Sequence, residues 1–101
     1  MGFRPHLCGR FHKAVELIGS RWTGAVIQLL LAGRQRYAEL RDAIPDISDR
    51  MLSERLRELE AAGVLFRLPL RHNTRAYALT DRGLALREAI VALGRWGAEE
   101  A

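Results

Sequence analysis

The chain lacks most of what catalysis or a membrane demands. Of its 101 residues one is a cysteine, Cys8, so no intrachain disulfide framework can form. No Ser/His/Asp set, paired-acid motif or glycine-rich phosphate loop occurs, which argues against an enzyme. The longest apolar run, Ala25 to Ala32, is interrupted by Gln28 and is far too short to cross a bilayer. The N-terminus has no apolar leader and carries Arg4, His6 and Arg10 instead. These absences lead us to expect a soluble, cytoplasmic protein with no cofactor and no membrane partner. Lysine is nearly missing too: Lys13 stands alone against fifteen arginines, within a formal charge of +4 and a pI of about 10.2. Arginine presents a planar, multi-donor group to phosphates and guanine edges where lysine offers a point charge. The balance therefore suggests a polyanionic partner.

The most informative stretch runs from Ile47 to Gly63. Ser48 suits an N-cap, Asp49 suits the positive end of a helix, and Gly63 suits its stop. Leu52, Leu56 and Leu59 fall on one side of that helix, while Arg50, Ser53, Glu54 and Arg57 fall nearly opposite. The second face is a short cationic, hydrogen-bonding ridge of about the width of a DNA major groove. On an arbitrary amphipathic helix such a ridge is most often only a solvated face; its neighbours on both sides decide otherwise.

Upstream, the periodicity predicts a helix over Phe11–Ile18, a nearly all-apolar and therefore buried helix over Arg21–Ala32, and a third over Tyr37–Ile44 closed by Pro45. The connection Pro45-Asp46-Ile47 is short, so the third and fourth helices turn sharply on each other as a helix-turn-helix spanning 37–62. After Gly63 the period falls to two. Val64–Leu68 and Thr74–Leu79 read as strands around the turn-forming Pro69–Asn73, a hairpin over 64–79. A hairpin in that place is a wing, with Arg71, His72 and Arg75 at or near its tip and facing phosphate or the minor groove. Thr80 caps a last helix over 80–97. Leu86, Ile90 and Leu93 form one stripe on it and Trp96 belongs to a second, more apolar surface than one small domain covers from one side. Residues 1–9 read as an arm. The expected architecture is mainly α with a small β-hairpin: one winged helix-turn-helix domain, 1–101, with an added C-terminal dimerisation helix.

In order and spacing these residues resemble the HxlR-type winged helix-turn-helix transcriptional regulators. The likeness runs through Ile18-Gly19-x-Arg21-Trp22, Leu30-x-x-Gly33 and Arg36-Tyr37-x-Glu39-Leu40. It continues through Ile44-Pro45-x-Ile47-Ser48-x-Arg50-Met51-Leu52-Ser53-x-Arg55-Leu56-x-Glu58-Leu59-Glu60-x-x-Gly63 and ends on Tyr77-x-Leu79-Thr80-x-x-Gly83 and Trp96. Two features depart from the family pattern: Arg34 replaces a proline, and the wing is shorter and lacks a Tyr-Pro-Glu-x-Pro run. The resemblance implies a homodimer on double-stranded DNA. Several members of that family place a cysteine just before the first helix and use it to sense oxidants or electrophiles, and Cys8, fourteen residues before Trp22, sits at what looks like the spacing in one thiol-sensing branch.

The expected DNA contacts are Ser48, Arg50, Ser53, Glu54 and Arg57 from the helix and Arg71, His72 and Arg75 from the wing. The expected dimer contacts are Leu86, Ile90, Leu93 and Trp96. Cys8 is the sensing candidate, its basic neighbours favouring the thiolate, although a lone cysteine is most often a small buried hydrophobe. His6, Cys8 and His12 are three potential metal ligands, but they sit on an arm at spacings looser than structural sites use, and no metal is expected. The serious rival is a winged helix used only for protein contacts. Such a surface should carry apolar or aromatic anchors, whereas this ridge carries Arg, Ser and Glu.

Overall fold

A computed structural model describes residues 8–99 of the chain. Six helices and three strands follow one another: α1 (Gly9–Ile18), α2 (Thr23–Leu31), β1 (Gln35–Arg36), α3 (Tyr37–Ala43), α4 (Asp49–Ala61), β2 (Leu65–Pro69), β3 (Arg75–Leu79), α5 (Asp81–Leu84) and α6 (Arg87–Glu99). A single 3-10 turn, Arg71–Asn73, joins β2 to β3. The fold is the expected mainly helical one with a small antiparallel sheet.

Several helix boundaries have a local cause. Arg21–Ala32 does not start where its apolar pattern starts: Trp22 adopts φ 75°, a left-handed conformation rare for a bulky residue, and α2 begins after it. At the start of α3 the Glu39 carboxylate accepts the Arg36 backbone N–H at 2.7 Å. At the start of α4 the Ser48 hydroxyl accepts the Met51 N–H at 3.0 Å. Gly63, at φ 76°, turns the chain out of α4 in a conformation that glycine adopts without a steric penalty.

The core is built mainly from α2, α3, α4 and the strands β2 and β3. Val26, Ile27 and Leu30 of α2, Leu40 of α3, Leu52, Leu56 and Leu59 of α4, and Leu65, Tyr77 and Leu79 of the sheet are all buried. The sheet order is β1-β3-β2, antiparallel throughout, with Leu65 opposite Leu79, Arg67 opposite Tyr77 and Gln35 opposite Tyr77. As the central strand, β3 buries the adjacent residues Ala76 and Tyr77. The pairing strand β1 went unforeseen, because two residues are too few to show an alternation.

Two sequence expectations change. The helix over 80–97 is two helices, broken at Ala85–Leu86. The Thr80 hydroxyl donates to the Gly63 and Val64 carbonyls and its oxygen accepts the Gly83 N–H, so α5 is pinned against the start of β2. Gly83 is buried there, and any side chain on it would overlap the Val64 carbonyl oxygen. The chain then turns to bring Ile90 into the core. The second change is at the N-terminus. Gly9 is already helical and Cys8 is the N-cap of α1, so the cysteine sits at a helix end and not within a loose arm. Arg4 and His6, and with them residues 1–7 of the expected arm, lie outside the described residues, while Cys8 and His12 of the possible metal set are described.

The arginines are also less free than their count implies. Arg82 Nε donates to the Ala62 carbonyl at 3.1 Å, and Arg87 donates to the Leu31 carbonyl at 3.3 Å, so each closes the C-terminal end of another helix. Arg55 Nε donates to the Arg21 carbonyl at 2.9 Å and its Nη1 meets Glu58 at 2.7 Å, tying α4 to the α1–α2 junction.

Candidate nucleic-acid interface

The candidate reading surface is the outer face of α4, positioned from below by its leucines and from the side by α3. Tyr37, the first residue of α3, directs its hydroxyl to the Asp49 carboxylate at 3.1 Å and to the Ser53 hydroxyl at 3.3 Å. Arg41 adds an ion pair to Asp49 at 3.5 Å. These contacts set the angle between the two helices. The Tyr37 ring is half-buried against the core, while its hydroxyl reaches out to α4. The signal that points to Tyr37 and Arg41 is their spacing on α3, which puts both over the start of α4.

Along the ridge, the expected contacts differ in how free they are. Ser48 is exposed, and with its oxygen engaged by the cap its hydroxyl proton remains to donate. Arg50 is 89% exposed and holds Glu54 at 3.2 Å through Nε, leaving its two terminal nitrogens free. That i, i+4 pair pre-orients both side chains, and an exposed pair of this kind contributes only about 0.3–0.5 kcal/mol. Glu54 therefore meets a cytosine amine only in competition with Arg50. Ser53 is half-buried and turned toward Tyr37, so it is the least available of the five. Arg57 is exposed and, among the described residues, has no hydrogen-bond or ion-pair partner.

The wing is uniformly basic. From Leu65 to Leu79 the sequence holds Arg67, Arg71 and Arg75 and no carboxylate. Arg67 is engaged by Glu60 at 3.1 Å and so belongs to the α4 side. Arg71, His72 and Arg75 are all exposed. His72 and Asn73 take φ 62° and 59°, both left-handed, and the Leu70 N–H reaches the Thr74 carbonyl at 2.9 Å to close the turn. The tip is thus a tight, defined turn. Arg34 and Arg36, both exposed, flank or lie on β1, which pairs with β3, and add cations that the sequence reading did not count.

The terminal helices present a different chemistry. Ile90 is buried in its own core and Leu86 packs against it half-buried. Leu93 and Trp96 are 58% and 63% exposed, and on α1 Phe11 is 68% exposed. The expected stripe splits: its first half is covered by its own chain and its second half is not. The radius of gyration is 15.3 Å, against about 13 Å for a compact chain of this length.

Cys8 is exposed at the start of α1. The backbone N–H groups of Phe11 and Arg10, with help from the Arg10 side chain, hold its thiol below the ordinary range. Among the described residues no helix is long and apolar enough to cross a membrane.

Comparison with known proteins places this geometry. A family model for HxlR-like helix-turn-helix domains matches residues 17–101. The uncharacterised HTH-type transcriptional regulator YvaP of Bacillus subtilis is 41% identical over 98 residues, covering 95% of this chain and 91% of that protein. The crystal structure of quinone-bound YodB from B. subtilis superposes with a TM-score of 0.83 at 35% identity, covering 92% of this chain and 99% of that one. The redox regulator HypR in its oxidised form gives a TM-score of 0.82 at 30% identity, over 89% and 95% of the two chains.

Proposed function

The chain belongs to the HxlR-like helix-turn-helix family of transcriptional regulators, and from that we propose that it acts as a homodimer reading an inverted-repeat operator and answering to oxidants or electrophiles at Cys8. The observation that carries the DNA reading is the division of labour on α4. Its leucines are fully committed to the core while Ser48, Arg50, Glu54 and Arg57 project from the opposite side without an apolar anchor among them. Such a face suits base edges and phosphates and not a protein partner. Arg50 is assigned to a guanine edge. Ser48 and Glu54 make adjacent polar contacts and Arg57 holds a base edge or a phosphate, with Ser53 in a lesser part. Arg71, His72 and Arg75 supply backbone affinity from the wing.

Dimerisation is assigned to Leu93 and Trp96 together with Phe11 and Val15 of α1, all exposed. Leu86 and Ile90 support that surface from beneath. A two-fold dimer sets the reading helices about 34 Å apart. For Cys8, support comes from its exposure, its lowered pKa and the likeness to a quinone-bound and an oxidised regulator. With a single cysteine per chain, the products are a Cys8–Cys8 disulfide between protomers or a mixed adduct. The test is selection of bound duplexes from random sequence by the purified protein. Recovery of an inverted repeat with half-sites about one helical turn apart is the expected result; enrichment of no sequence overturns the reading.

A further inference from the structure

Beside α1 lies a groove of about 960 Å³ that the DNA reading does not use. Its floor is apolar, with Leu17 from α1, Val64 from the α4–β2 junction and Leu86 from the turn before α6. Three cations line it: Arg10 and Lys13, one turn apart on α1, and Arg82. Among the described residues no Asp or Glu lines it, and neither Arg10 nor Lys13 is paired with a carboxylate, although the Arg10 side chain also reaches Cys8. Arg82 spends Nε on the Ala62 carbonyl and keeps its terminal nitrogens. A concave apolar surface of this size with a few convergent charges is the general form of a small-molecule site. The charge is all of one sign, so the occupant that fits is an anion with an apolar body.

We propose that this groove binds a small amphipathic carboxylic acid and conveys its occupancy to the reading helix. The apolar body lies on Leu17, Val64 and Leu86, and the carboxylate meets Arg10, Lys13 and the free end of Arg82. The route to DNA is short. Ala62 and Val64 line the groove and follow directly on α4, so an occupant that spreads α1 from this junction acts on the end of the reading helix. The inference rests on the regulator reading for its consequence but not for its binding step.

The test uses decanoate and, as a neutral molecule of equal chain length, decanol, titrated calorimetrically into the full chain without DNA. Decanoate is expected to bind saturably and to shift the amide resonances of Ala62 and Val64. Decanol, Arg10→Gln and Lys13→Gln should each weaken binding by about two- to fivefold. Ala14→Phe, which fills the groove from α1, should abolish it. Bound decanoate should then change affinity for the selected duplex. Absence of binding, equal affinity for decanol, or binding with unchanged duplex affinity overturns the proposal. If decanoate does not bind and Lys13→Glu yields monomers in sedimentation, the groove belongs to a second copy. A failure of the DNA reading shows separately, as no sequence-specific duplex binding by the unliganded chain.

Discussion

Helices α4 and α6 have the same length, thirteen residues each, and both are amphipathic, yet the chain treats them in opposite ways. On α4 Leu52, Leu56 and Leu59 are buried by the chain itself, so what remains outside is polar and cationic. On α6 only Ile90 is buried, and what remains outside includes Val91, Leu93 and Trp96. A helix whose apolar face is satisfied at home has its polar face free for a partner. A helix whose apolar residues are left bare calls for a second apolar surface. Fully burying a Leu-sized side chain is worth about 1.5–3 kcal/mol, so these three α6 residues leave a substantial drive toward association. The same amphipathic pattern thus leaves a polar face bare in one place and an apolar face bare in the other, which is the contrast behind the proposed split between recognition and assembly.

The sharpest way to break this comparison is to truncate one leucine from each helix. Leu59→Ala empties a fully buried position and should cost about 2–5 kcal/mol, read as a lower urea midpoint at unchanged slope. Leu93→Ala with Trp96→Ala should leave a folded protein by circular dichroism and shift it toward monomer in sedimentation at micromolar concentration. If the α6 variant stays dimeric, its exposed residues are ordinary surface and the assembly surface lies elsewhere.

Next in size is the ridge. Arg57→Ala and Arg50→Ala should each lose about 1–3 kcal/mol of binding to the selected duplex, with Arg50→Ala relaxing preference at one base position. Tyr37→Phe sharpens the point. It keeps the ring and removes the hydroxyl that meets Asp49 and Ser53, so it should lower specific affinity without touching scrambled duplex. Loss on both duplexes alike would make Tyr37 a phosphate contact in place of a positioning residue.

Sequence patterns revealed α4 and its ridge because both faces of that helix follow one period and its two ends carry residues with a clear local use, the Ser48 cap and the Gly63 turn. They revealed the hairpin for the same reason. They did not reveal the break at Ala85–Leu86. No proline stands there, and Gly83 is special only because the Val64 backbone passes against it, a contact nineteen residues away in sequence. Nor did they divide the arginines. Arg55, Arg82 and Arg87 look like surface charge in a sequence and turn out to serve backbone carbonyls of other elements. The same limit applies to Leu86 and Ile90: an apolar stripe shows which side chains want cover but not whose chain provides it.

Wing and ridge give a smaller contrast. Arg71 and Arg75 have no fixed partner, so their contribution should be sequence-independent and salt-sensitive. Removing each should lower the slope of log affinity against log salt by about one, on specific and scrambled duplex alike. An unchanged slope would mean that this short wing stops before the phosphates and that the cations of β1 and α4 carry the backbone term.

The smallest expected shift lies at Cys8, where it separates a chemically tuned thiol from a passive one. The Phe11 and Arg10 N–H groups and the Arg10 side chain favour the thiolate, so the folded pKa lies below that of an ordinary thiol. For a group with a lowered pKa, any linked stabilisation is present above the unfolded value and is lost as pH falls through the folded one. Because Cys8 is exposed, the clear readout is reactivity and not stability. The alkylation rate by iodoacetamide should reach half its plateau at lower pH in the folded chain than in urea. Arg10→Gln should move that midpoint only part of the way back, since the backbone N–H groups remain. Diamide or a quinone should then alter duplex binding of the wild type and not of Cys8→Ser. Equal midpoints in folded and unfolded chain would leave Cys8 an ordinary surface thiol. Equal diamide responses in wild type and Cys8→Ser would remove the switch while leaving the α4–α6 contrast intact.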